Sequence, residues 1–185
     1  MMSSTLFWVV VVFAACALVA WYLSYTAARL DRLHVRVEGA HSALDAQLVR
    51  RAEATLELAN TGLLDPASAL LLAGASSESL ESTDAALQGR EVVESGLSEA
   101  LHLALTPEVV SGLRADDAVG ALALKRLVTA GQRVQLARRF LNDAVIDVRR
   151  VRRKLVVRWV RLAGHTPLPQ TFEIDDDLPA ALREA

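Results

Sequence analysis

From Leu6 to Leu23 every position is apolar, and no charged side chain occurs between Met1 and Arg29. At about 1.5 Å per residue these 18 positions cover roughly 27 Å, close to the ~30 Å hydrocarbon thickness of a bilayer. The run predicts a transmembrane helix over residues 6–25. After it the pattern changes period. Apolar residues recur at Leu30, Leu33, Val37, Ala40, Leu44 and Leu48, three and four apart, with no proline between, so one helix is expected to leave the membrane unbroken and to run to Asn60 and Gly62. Asp65 and Pro66 open a short helix that Gly74 ends, with a turn over residues 75–77. A longer acidic helix follows over residues 77–105. Thr106 and Pro107 start another short one that Gly112 closes. In the last long helix Val134, Leu141, Val148, Leu155 and Leu162 repeat every seven residues, with Ala137, Ala144 and Val151 three positions further on. Gly164, Pro167 and Pro169 end that helix, and the acidic remainder reads as a mostly disordered tail.

The fold class expected is therefore all-α: an N-terminal transmembrane helix continuing into an antiparallel up-and-down helical bundle with long helices. The domains are a short extracytoplasmic N-terminus (1–5), the membrane helix (6–25), a cytoplasmic bundle (26–164) and the tail (165–185). Arg29, Arg32 and Arg36 follow the apolar run and no Lys or Arg precedes it, so the positive-inside rule puts the N-terminus outside and the C-terminal domain in the cytoplasm of a single-pass cell-membrane protein. Trp8 and the group Trp21, Tyr22 and Tyr25 suit aromatic belts at the two interfaces. Cys16, after Ala14 and Ala15, leaves lipoprotein processing open as an alternative, although Phe13 and the missing basic n-region do not fit it.

Composition agrees with helices. Hydrophobic residues are 52% of the chain and aromatic ones only 5%, the excess being Ala, Leu and Val. The net charge of −2 hides two opposed blocks: residues 53–117 hold 12 acids and 2 bases, whereas residues 133–161 hold 10 bases and 2 acids. The basic face Arg149, Arg150, Arg152, Arg153, Lys154 and Arg158 reads first as a solvated face paired with acidic helices. Anionic lipid headgroups come second, each cation near a bilayer contributing roughly 1 kcal/mol. Nucleic acid is disfavoured because only Trp159 interleaves the cations.

Candidate chemistry is sparse. Glu38 with His41 and Glu99 with His102 have the Glu-x-x-His spacing of di-iron bundles, but Glu38 and Glu99 lie off the apolar stripes, so no metal, no cofactor and no catalytic residue is expected. The one cysteine is in the apolar run, and no nucleophile elbow or phosphate-binding loop is present.

Residues 137–145, ARRFLNDAV, are similar to the signature of the LemA family: Arg138, Arg139, Asn142 and Val145 fit it, and Leu141 stands where that family has Tyr. Gln47, Leu48, Arg50 and Arg51 resemble its first-helix stretch, and Phe172 with Glu173 its ending. The sequence departs from the pattern at Ala54, Thr55 and Leu56, which lack a proline, and at Arg152, Arg153 and Lys154. The resemblance implies a membrane-anchored helical bundle, acting as a non-catalytic scaffold or adaptor with an unknown protein partner, and a homo-oligomer is possible. The alternative is an accessory or regulatory subunit of a membrane-associated enzyme or protease system. On the heptad seam Leu141 and Val145 point inward, and Asn142 is expected to bridge two helices while Arg138 and Arg139 reach acidic ones.

Overall fold

A computed structural model describes residues 2–82, 87–115, 118–154, 157 and 167–183. Among them the chain is all-helical and has no strand. The helices are α1 (Met2–Ala59), α2 (Pro66–Glu81), α3 (Leu87–Ala104), α4 (Pro107–Ala115), α5 (Ala118–Arg152) and α6 (Ala180–Arg183). Two compact units divide the chain. One comprises Met1–Glu38 with Asp143–Gln170, the other Gly39–Asn142 with Thr171–Ala185.

In the first unit, α1 carries an 18-residue window of mean hydropathy 2.5, none of which is buried. Among the described residues it is the one helix long and apolar enough to cross a membrane. A small core joins Leu30 to Val148, Val151 and Val157, with Leu33 and Val37 packed against it. Arg36 and Asp147 meet beside it at 3.5 Å.

The second unit holds the larger core, built on Leu58, Leu72, Leu97, Leu101, Leu105 and Leu127. α1 ends as expected: Gly62, at φ 74°, takes the left-handed conformation that follows a helix C-terminus. Asp65 caps α2 by accepting from the Ala67 and Ser68 amides at 3.0 and 3.1 Å, and Pro66 occupies the first turn; the Ser68 side chain first, then these amides, lower the Asp65 pKa.

Five features differ from the sequence pattern, one of them the start of the acidic helix α3, at Leu87 and not at residue 77, since residues 77–81 belong to α2. α2 does not stop at Gly74. Ser76 donates its hydroxyl to the Leu72 carbonyl at 2.7 Å, and Leu72, Ser76 and Ser79 form one buried face, so the helix runs to Glu81 and breaks at Ser82. α4 likewise passes Gly112, because Val110 and Leu113 one turn apart are both buried. α5 stops at Arg152 instead of Gly164: the Lys154 amide reaches Val151, a tightened last turn, while Arg149 and Arg152 donate to the Pro169 and Pro167 carbonyls, each at 2.9 Å. Leu155, Arg158, Trp159, Leu162 and Gly164 lie outside the described residues.

The last correction is the largest. The expected disordered tail is ordered from Thr171 to Arg183, with Phe172 2%, Leu178 6% and Leu182 1% exposed. Four acids within residues 173–177 suggested disorder, but three buried apolar side chains tie that stretch down. Gly131 makes room for one of them, since a Cβ there would lie 2.6 Å from a Leu178 methyl carbon.

Candidate functional site

The residues of the second unit that carry polar chemistry form three groups: a buried ion cluster, a clamp on the C-terminal strap (residues 171–178), and an open groove between α1 and α5.

The buried cluster begins with Arg51, 2% exposed. Its stripe neighbours Leu44, Leu48, Thr55 and Leu58 are all buried at the same three-and-four spacing, so the helix register alone carries a guanidinium into the core. Glu94, wholly buried on α3, accepts from Arg51 at 2.8 Å and from the Ser79 hydroxyl of α2, also at 2.8 Å. Arg90 brings Nε to 3.0 Å from the same carboxylate, an ion pair in distance although not aligned as a hydrogen bond, and donates through Nη1 to the Ser79 carbonyl at 3.1 Å. Two cations thus share one anion. Arg51 also donates to the Ser98 hydroxyl at 3.0 Å, and Ser98 donates onward to the Asp175 carbonyl at 2.5 Å, linking the cluster to the strap.

The strap is held along α3 and α5. Asn142 forms a reciprocal pair with one residue: its Oδ1 accepts from the Phe172 amide at 2.9 Å and its Nδ2 donates to the Phe172 carbonyl at 3.1 Å. Arg138 grips Asp176 with two nitrogens, at 2.6 and 3.0 Å. That bond, opposed by burial and aided by the charges of Asp176, Glu173 and Asp177, raises the Arg138 pKa. A raised value means its share of stability is lost only above an already very high pH, so Arg138 stays cationic wherever the protein is handled. Gln135 donates to the Asp176 carbonyl at 2.8 Å, and from α3 come Glu91 on the Glu173 amide and Ser95 on the Asp175 amide.

The motif residues are therefore placed differently from expectation. Arg138 and Asn142 act together, but on the strap and not on the acidic helices or a neighbouring helix backbone. Val145, like Leu141, is buried as the seam requires, whereas Arg139 is exposed. Of the basic face, Arg149 and Arg152 each spend a donor on a proline carbonyl, Arg150 lies 3.8 Å from Asp147, and Arg153 and Lys154 are exposed. His41 lies 3.1 Å from Asp45, and His102 Nε2 lies 3.0 Å from the Asp177 carbonyl.

If the Asn142 pair holds the strap, Asn142→Leu will leave α5 helical but lower unfolding stability by about 1–3 kcal/mol and make residues 171–178 more sensitive to protease. An unchanged urea midpoint with an uncut strap would show that the pair contributes nothing.

The third group was not foreseen. Between α1 and α5 lies a groove of about 430 Å³ whose lining includes Arg50, Glu53, Glu57, Leu122, Lys125 and Arg133. Gln47, Arg50 and Arg133 also line an adjoining groove of about 280 Å³ that reaches Leu136, Ala137 and Phe140. Glu57 pairs with Arg126 across it. Leu122, Leu136 and Phe140 remain 49%, 52% and 55% exposed, more than solvent contact alone favours for side chains of that size on one helix face. The signal was in the sequence: residues 122, 126, 129, 133, 136 and 140 follow the helical period along one flank of the heptad seam of α5. Comparison with protein-family models, curated proteins and solved structures finds no match for this chain.

Proposed function

We propose that this protein is a membrane-anchored, non-catalytic scaffold or adaptor of the LemA type, with its N-terminus outside and the bundle in the cytoplasm. The observation that carries the reading is α1. One uninterrupted helix bears both an exposed apolar window of membrane length and, further on, the core positions Leu44, Leu48 and Leu58 of the second unit. The same helix is anchor and structural member. The likeness to LemA proteins supports the assignment through Arg138 and Asn142, whose side chains hold the strap. The exposed groove between α1 and α5 supplies a surface on which a scaffold can act.

Placing Arg at Val11 and Val12 tests the anchor, since an arginine near a membrane helix centre costs about 2.5–3.5 kcal/mol. The wild-type chain should stay in the pellet after alkaline extraction of membranes, and the V11R/V12R variant should pass to the supernatant. Retention of the variant would remove the anchor reading. Crosslinking in intact membranes tests the scaffold, and wild-type chains that crosslink to no protein would sink it.

A further inference from the structure

We propose that the α1–α5 groove of one copy receives the outer face of α3 from a second copy, so that copies associate head to tail. The proposal names a partner for the scaffold and rests on that reading.

The two faces complement each other in charge and in order. Along α5 the exposed stripe reads Leu122, then Lys125 and Arg126, then Arg133, then Leu136 and Phe140, so cations lie between apolar ends. α1 adds Arg50 together with Glu53 and Glu57, of which Glu57 is taken up by Arg126, so the groove keeps an excess of cations. Among the described residues Arg50, Lys125 and Arg133 form no ion pair. The outer stripe of α3 reads Val92, Gly96, Glu99 and Leu103, four, three and four residues apart. It is acidic in the middle and apolar at both ends, with Val92 73% and Leu103 64% exposed. Glu91, Glu173 and Asp175 flank Glu99 along the same surface. From Val92 to Leu103 the helix rises about 17 Å, and from Leu122 to Leu136 about 21 Å. Apolar ends can therefore meet apolar ends while carboxylates lie over guanidinium groups. Gly96, with open space where a Cβ would be, lets another helix approach closely. The contact joins different patches, so it is heterologous and generates rings or rows of copies instead of a closed two-fold dimer.

The test uses the full-length chain in mild detergent, by sedimentation across a concentration series and at low and high salt. Wild type should associate, more weakly at high salt. Arg133→Glu alone and Glu99→Arg alone, both at exposed positions, should keep wild-type helicity and each weaken association at least tenfold. Mixing the two variants should restore it, because each then offers the face the other lacks. A wild-type chain monomeric at every concentration, variants that associate like wild type, or a mixture that stays apart would each overturn the proposal. Scoring the same variants for retention in membranes and for crosslinks to other proteins separates the two readings: a monomeric chain still crosslinked to other proteins loses only the self-association.

Discussion

Glu94→Gln is expected to be among the most damaging single substitutions in the second unit, lowering its stability by about 3–5 kcal/mol. The change is nearly isosteric and removes one negative charge, so packing loss contributes little. What remains is two guanidinium groups, Arg51 at 2% and Arg90 at 4% exposure, with no counter-charge among the buried groups that face them. Water cannot solvate them without opening the interface of α1, α2 and α3. Against a typical total of about 5–15 kcal/mol, such a loss leaves the fold marginal. A second variant separates charge from shape. Replacing all three ions together, by R51M/R90M/E94L, removes the desolvation cost along with the attraction and should recover most or all of the lost stability. Urea unfolding followed by far-ultraviolet circular dichroism measures both. If Glu94→Gln unfolds at the wild-type midpoint, the cluster is solvated and carries no structural load. If the triple variant is as unstable as the single one, packing and not electrostatics holds the three helices.

That cluster also shows how far the sequence could be read. The stripe ending at Leu44 and Leu48 was visible as a helical period, and extending it by three and four residues arrives at Arg51, Thr55 and Leu58. In the same way Leu97 and Leu101 extend back to Glu94 and Arg90, and Leu72 extends to Ser76 and Ser79. Polar residues on stripe positions of three different helices are the trace that a buried polar network leaves in a sequence. Periodicity alone cannot pair them, because which stripes face one another depends on tertiary contacts: Arg51 meets Glu94 43 positions on, and Ser79 meets the same carboxylate from 15 positions away. The helix starts at Asp65 and the stop at Gly62 were legible because their causes are local: a side chain accepting from the next amides, and a residue at positive φ. Gly74 and Gly112 misled for the converse reason, as tertiary burial of Ser76 and Leu113 outweighs a glycine penalty of about 1 kcal/mol. The strap was missed because its composition is that of a solvated tail, and its order comes from Asn142, Arg138 and Ser98, all distant in the chain. The Arg138 and Asn142 motif was read from the sequence as functional or structural glue; its receptor, Phe172 to Asp176, was not.

Phe172→Ala should release the strap. The side chain is 2% exposed, and truncating a buried phenylalanine costs about 3–5 kcal/mol when its cavity cannot collapse. Here the cost has an upper limit set by the strap itself, because detachment is an alternative to carrying a cavity. Once Phe172 no longer anchors it, the segment must hold on through Asn142, Arg138, Gln135, Ser95 and Ser98, whose bonds are worth roughly 1 kcal/mol each when water can replace them. The expected result is partial unfolding: amides of residues 172–177 lose protection from hydrogen exchange, while those of α3 and α5 keep most of theirs. Arg138→Ala and Asp176→Ala supply the comparison. Each alone should weaken the strap by about 1–3 kcal/mol, and together by less than the sum, since they remove one shared contact. In the Phe172→Ala background the same pair should cost almost nothing further, because a detached strap no longer brings Asp176 to Arg138. If the Arg138 and Asp176 substitutions remain as costly in that background as in wild type, the strap is held by its ion pair. Phe172 would then merely fill space.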